Sequence, residues 1–143
     1  MKWLVANIKW IMLVAGILTA SMFYTAFAPH ASLARSFHHN LETAGPLAEL
    51  IVRNWGFLMG LIGLMLIYGA FVPPARRLVL SVATISKIWF VGLMLTVGRD
   101  YLDHPVHAAV IIDSLEVLLF AAYLFVTGRQ AHAMARGAGG GPQ

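Results

Sequence analysis

The chain of 143 residues contains no cysteine, so a disulfide framework, a CxxC redox pair, a thiolate zinc site and a cysteine nucleophile are excluded together. Charge is nearly as scarce. Asp, Glu, Lys and Arg make up 11% of the residues, against about 25% in soluble domains, while 59% are hydrophobic and mean hydropathy is +0.77. A chain this apolar belongs in a lipid bilayer. GxGxxG, Walker, HExxH and GxSxG patterns are also missing, which leaves nucleotide chemistry and hydrolysis without support. The formal charge of +4 and the pI near 9.9 do not mark a nucleic-acid surface, because the Lys and Arg residues stand singly between apolar runs.

What is there is a set of long apolar runs. A helical span needs about 20 mainly apolar residues to cross about 30 Å of hydrocarbon. Residues 10–29 and 54–75 carry no charge, 78–98 carry only Lys87, and 105–128 carry His107, Asp113 and Glu116. None shows the alternation of a membrane barrel, so the backbone must satisfy itself as helix. The expectation is an all-α bundle of four membrane spans, over residues 8–28, 50–72, 77–98 and 105–127. Residues 129–143, rich in glycine, are expected to form a disordered tail.

Ala26-Phe27-Ala28 resembles a signal-peptide cleavage site, yet the preceding apolar run is too long for such a peptide and Pro29 would begin the product. The first span reads as a retained anchor. Lys2, Lys9, Arg76, Arg77, Arg129 and Arg136 fall on one side of the four spans, and Arg35 and Arg99 on the other, with Arg53 near that boundary. The positive-inside rule then puts both termini and the short Pro-rich turn in the cytoplasm. Trp3, Trp10, Trp55 and Tyr101 suit the aromatic belts at the two interfaces. In the first outer loop Leu33, Phe37 and Leu41 recur every four residues, as on one face of a short surface helix, although an ordinary connection fits that stretch too.

The informative residues are the ionisable ones within the spans, because a charge at the centre of a membrane helix costs about 2.5–3.5 kcal/mol on insertion scales. Arg53, with the adjoining Asn54, opens the second helix and shares a face with Gly56, Gly60 and Gly63, a ridge that permits close helix approach. Ser81, Thr84, Lys87 and Ser86 make a polar strip on the third helix, with Lys87 near mid-membrane. Asp113 and Glu116, one turn apart, share a face of the fourth. Arg53, Lys87, Asp113 and Glu116 are therefore expected to converge as a paired cluster. Two readings stay open: ion pairs that only fix helix register, or a polar cavity that binds a polar head or relays protons.

His30, His38, His39, His104 and His107 all fall on the outer loops or at the start of the fourth helix. His104-x-x-His107 is a metal-compatible spacing, but Pro105 interrupts it, and no metal site is expected. Nor is haem expected, since no span carries a histidine below its first turn.

Arg53-Asn54-Trp55-Gly56 opening a glycine-rich helix that ends Leu66-Ile67-Tyr68-Gly69-Ala70, the short basic turn, and Asp113 and Glu116 ahead of Leu118-Leu119-Phe120 resemble the DoxX-like group of small bacterial four-helix membrane proteins. The likeness spans about residues 48–127. It implies a multi-pass bundle of the bacterial inner membrane with a polar interior, and a quinone or lipid ligand or a partner subunit, DoxX itself being a membrane subunit of a quinone-reducing oxidoreductase. The chain supplies no redox centre of its own. The expectation is thus a non-enzymatic accessory or ligand-binding subunit, with or without self-association. The alternatives are a membrane subunit of a quinone-linked enzyme, in which Lys87 or Arg53 donates to a quinone carbonyl, and a small proton-coupled transporter dimerising along Gly56 and Gly60.

Overall fold

The computed structural model describes residues 2–38 and 45–138, and among these there is no strand. Six α-helices follow in order: α1 Lys2–Ala20, α2 Phe23–Phe27, α3 Pro29–Phe37, α4 Gly45–Phe71, α5 Arg76–Thr96 and α6 Val106–Ala138. Four segments are long and apolar enough to cross a membrane: Trp3–Phe27, Gly45–Phe71, Pro73–Thr96 and Val106–Arg129. Large side chains such as Ile85, Trp89 and Leu118 point outward, each more than two-thirds exposed. An apolar exterior of this extent is what lipid solvates.

The first span is not one helix. After Ala20 the hydrogen bonds tighten to three-residue spacing, from the Met22 amide to the Thr19 carbonyl and from the Thr25 amide to the Met22 carbonyl, while the Ser21 hydroxyl donates to the carbonyl of Leu18. This break lays Met22, Phe23 and Ala26 along the glycine ridge of α4. A Cβ on Gly56 would come within 2.7 Å of the Ala26 amide nitrogen, and one on Gly60 within 2.6 Å of the Phe23 ring. Gly16 makes the reciprocal approach from α1, where a Cβ would meet Ile67 of α4 at 2.8 Å. The ridge is thus consumed within the chain. It is not a free face of the kind that the transporter alternative needs for dimerisation.

The connections follow local chemistry. Val72 is extended, as the residue before proline must be, and Pro73 starts a single 3-10 turn into α5. The Arg76 guanidinium donates to the carbonyls of Gly69 and Ala70 at 3.1 and 2.9 Å, capping the C-terminus of α4. Pro29 occupies the first turn of α3, which ends at left-handed His38. The segment after the first span is therefore a helix over Pro29–Phe37, and Leu41 lies outside the described residues. The Thr25 and Ser32 hydroxyls, 2.7 Å apart, fasten α2 to α3.

Lys9 stacks on Phe71 and Arg77 lies beside Gly128, so the start of α1, the end of α4, the start of α5 and the later part of α6 share one end of the bundle. The main core fills that half: Ile8 and Met12 from α1, Leu66 from α4, Leu80 from α5 and Phe120 from α6 are all fully buried. A smaller cluster of Met94, Val106 and Val110 lies toward the opposite end. α6 continues to Ala138, which corrects the expectation of a disordered tail over 129–138. Ala131, Ala133, Met134, Ala135 and Arg136 are strong helix formers, and glycines gather only beyond them. The remainder of that expected tail lies outside the described residues.

The glycine contact yields a prediction. In Gly63→Ala the new methyl collides with the backbone of Ala20, which no rotamer change relieves, so unfolding in mild detergent should occur at lower temperature, by about 1–3 kcal/mol of overpacking. Gly92→Ala meets nothing within 4 Å and should be neutral or stabilising by up to about 1 kcal/mol. Equal thermal melts for the two variants would refute the close-packed ridge.

Candidate functional site

Between the two apolar clusters the bundle holds Lys87, buried on α5 with its side chain 3% exposed. Four methylenes cannot carry an ammonium from mid-span to water, so its partners must come to it. Asp113, from α6, accepts a hydrogen bond from Nζ. Glu116, one turn further on the same face, brings Oε2 to 2.8 Å of Nζ, and Thr19 of α1 places its hydroxyl at 3.4 Å. Three helices thus meet at one ammonium.

The pairing is uneven. The Glu116 side chain is 9% exposed, and its buried Oε2 meets Nζ of Lys87 as an ion pair. Two carboxyl groups thus face one ammonium. Lys87 has its donors directed at Asp113, Thr19 and Glu116, with none left over for a further acceptor.

These groups border a cavity of about 280 Å³. Lys87, Asp113 and Glu116 form its polar wall, and Trp55, Met59 and Phe90 much of its apolar wall. Ser32, Ser36 and Phe37 of α3 cover the end away from the main core. Beside it runs an apolar groove between α1 and α6 that shares Leu18, Ile112 and Glu116 with the cavity and extends along Val14 and Leu119. The groove exists because α1 leans on α4 and meets α6 far more sparsely.

The structure brings Lys87, Asp113 and Glu116 together and leaves Arg53 and Asn54 apart, which corrects the expected four-residue cluster. Arg53 donates through Nε and Nη2 to Glu49 at 2.9 and 2.7 Å and through Nη1 to the carbonyl of Ala26 at 2.9 Å. It serves the C-terminal end of α2, because the glycine face it shares points at α2 rather than at α5 and α6. Asn54 is exposed on another face of α4. The polar strip of α5 also divides: Ser81 and Thr84 return their hydroxyls to carbonyls four residues back, and Ser86 donates to the sulfur of Met59. His104 does not converge with His107, whose Nδ1 meets the His104 carbonyl at 2.8 Å. Its ring instead meets His38, Nδ1 to Nδ1 at 2.9 Å, tying the end of α3 to the turn before α6.

Thr19 and the cavity's aromatic wall are functional candidates that the sequence did not single out. Thr19 shares its run with the hydroxyls of Ser21, Tyr24 and Thr25, so its hydroxyl alone did not mark it. Trp55 had been assigned to the interfacial belt, and no periodicity placed it opposite Phe90.

Removing single charges separates the members of the cluster. Lys87→Met strands two carboxylates and should lose about 3–5 kcal/mol, whereas Glu116→Gln leaves a one-to-one Lys87–Asp113 pair and should lose less than about 1 kcal/mol. The triple variant Lys87→Met, Asp113→Asn, Glu116→Gln should recover much of the loss. Thermal unfolding in detergent that ranks Glu116→Gln below Lys87→Met would contradict this arrangement.

No protein-family model, curated protein or solved structure matches the chain.

Proposed function

We propose that this chain is a multi-pass protein of a bacterial inner membrane that holds a small amphipathic molecule in the cavity beside Lys87, acting as a non-enzymatic binding or accessory subunit. The observation that carries this reading is a cavity of about 280 Å³ inside the bundle, with Lys87, Asp113 and Glu116 on one wall and Trp55, Met59 and Phe90 on another. Ion pairs retained only as glue need no open space beside them, whereas a polar wall facing an apolar one suits an amphipathic ligand.

The quinone-linked alternative asks Lys87 or Arg53 to donate to a carbonyl. It is the weaker reading, because the donors of Lys87 are already directed elsewhere and Arg53 is engaged at Glu49 and Ala26. Membership of the DoxX-like group, a lipid as the occupant, and a partner subunit or homo-oligomer belong to the same proposal. The asymmetry of Lys and Arg supports an orientation with both termini in the cytoplasm.

Native mass spectrometry from mild detergent should find a retained small molecule on the wild type and none on the folded triple variant at Lys87, Asp113 and Glu116. Both proteins emerging empty would overturn the binding reading. Orientation has its own test, since single cysteines can be introduced into a chain that has none. An impermeant maleimide should label Asp103→Cys in cells with an opened outer membrane and an intact inner one. Ala75→Cys should react only after the inner membrane is permeabilised, and the reverse pattern would invert the topology.

A further inference from the structure

We infer that the end of the bundle shared by the start of α5 and the later part of α6 binds the phosphate of an anionic phospholipid, held between Arg77 and Arg129. The site lies apart from the cavity and does not depend on what the cavity holds. Charge, the placement of the two arginines and their depth converge on that ligand.

The six acidic residues of the chain are Glu42, Glu49, Asp100, Asp103, Asp113 and Glu116. None of them falls in the first turns of α1, the end of α4, the start of α5 or the part of α6 beyond Glu116, the segments that carry Lys2, Lys9, Arg76, Arg77 and Arg129. This end of the bundle is basic without a carboxylate to offset it. Two of its cations are used within the fold: Arg76 donates to the carbonyls of Gly69 and Ala70, and Lys9 stacks on Phe71 and Trp10.

Arg77 and Arg129 have no such employment, and neither guanidinium donates to an acceptor among the described residues. Arg77 crosses from α5 to lie 3.7 Å from where a Cβ on Gly128 would stand, and Arg129 lies over the Phe125 ring at 4.4 Å. Positions 125 and 128 are surface neighbours on a helix, about 5–6 Å apart at Cβ, so the two guanidinium groups flank one patch of α6. Arg77 also occupies the first turn of α5, where the helix dipole disfavours a cation and favours an anion. A phosphate between the arginines offsets both the repulsion and the dipole, and its oxygens match the fork of each guanidinium. Depth then selects a lipid over a soluble ester. The apolar segments Pro73–Thr96 and Val106–Arg129 begin and end at this level, and Leu78 and Phe125 beside the arginines are exposed, a surface for acyl chains.

The test is native mass spectrometry of the full chain from an uncharged detergent, with phosphatidylglycerol and phosphatidylcholine of identical chains added in equal amount. Wild type should retain phosphatidylglycerol at least about tenfold more than phosphatidylcholine, the scale of one charge-assisted hydrogen bond. Arg77→Gln combined with Arg129→Gln should remove that preference. Lys2→Gln combined with Lys9→Gln takes two charges from the same end and should keep most of it. Gly128→Glu, which sets a resident carboxylate between the arginines without removing a cation, should also lose it.

The triple variant at Lys87, Asp113 and Glu116 should retain phosphatidylglycerol as wild type does, which separates this site from the cavity. Wild type without a preference overturns the inference. So does an equal loss in the arginine and lysine pairs, which would assign the effect to diffuse charge, or an undiminished preference in Gly128→Glu. Displacement of the lipid by an equal concentration of sn-glycerol 3-phosphate, the headgroup phosphate without chains, would transfer the site to a soluble ester and overturn the lipid assignment.

Discussion

The close contact between α4 and the broken first span governs the geometry of the whole bundle. Gly56, Gly60 and Gly63 bring the α4 backbone against Met22, Phe23 and Ala20, with Gly16 returning the approach from α1. In lipid, where the hydrophobic effect does not press helices together, such backbone proximity and its dispersion contacts are the main source of adhesion. Drawing α1 toward α4 also draws it away from α6. The loosely packed seam that results lies beside the helix carrying both acidic members of the cluster.

The cluster then compensates for what the packing leaves open. Lys87 from α5 reaches Asp113 and Glu116 on α6 and Thr19 on α1, so α1 is linked across the seam by polar contact where apolar packing is thin. Its polar interior is therefore part of how the bundle coheres, and the same atoms border its cavity. Adhesion and binding are not competing uses of these residues. The cavity beside them is the feature that adhesion alone does not account for.

Much of this was legible from the chain and some was not, for identifiable reasons. Span number followed from the lengths of the apolar runs, a property of composition that tertiary packing does not alter. Asp113 and Glu116 could be placed together because a spacing of three residues on a helix fixes their shared face, and Lys87 because its depth matched theirs. Arg53 was misassigned because a shared face says nothing about which helix that face meets. Its glycine neighbours selected α2, and Glu49, one turn back, supplied the nearest carboxylate. The break after Ala20 had no proline to announce it, and the helical extension to Ala138 was hidden by the glycines that follow.

α3 is fastened at both ends, by the Thr25–Ser32 hydroxyl pair where it begins and by the His38–His104 imidazole pair where it stops. A cover so tethered over one end of the cavity contrasts with the unlaced flank between α1 and α6. On the binding reading, exchange then runs sideways and obeys partition rather than aqueous diffusion. Occupancy would track a compound's mole fraction in the membrane, so that two compounds equal in water but unequal in lipophilicity would fill the site to different extents.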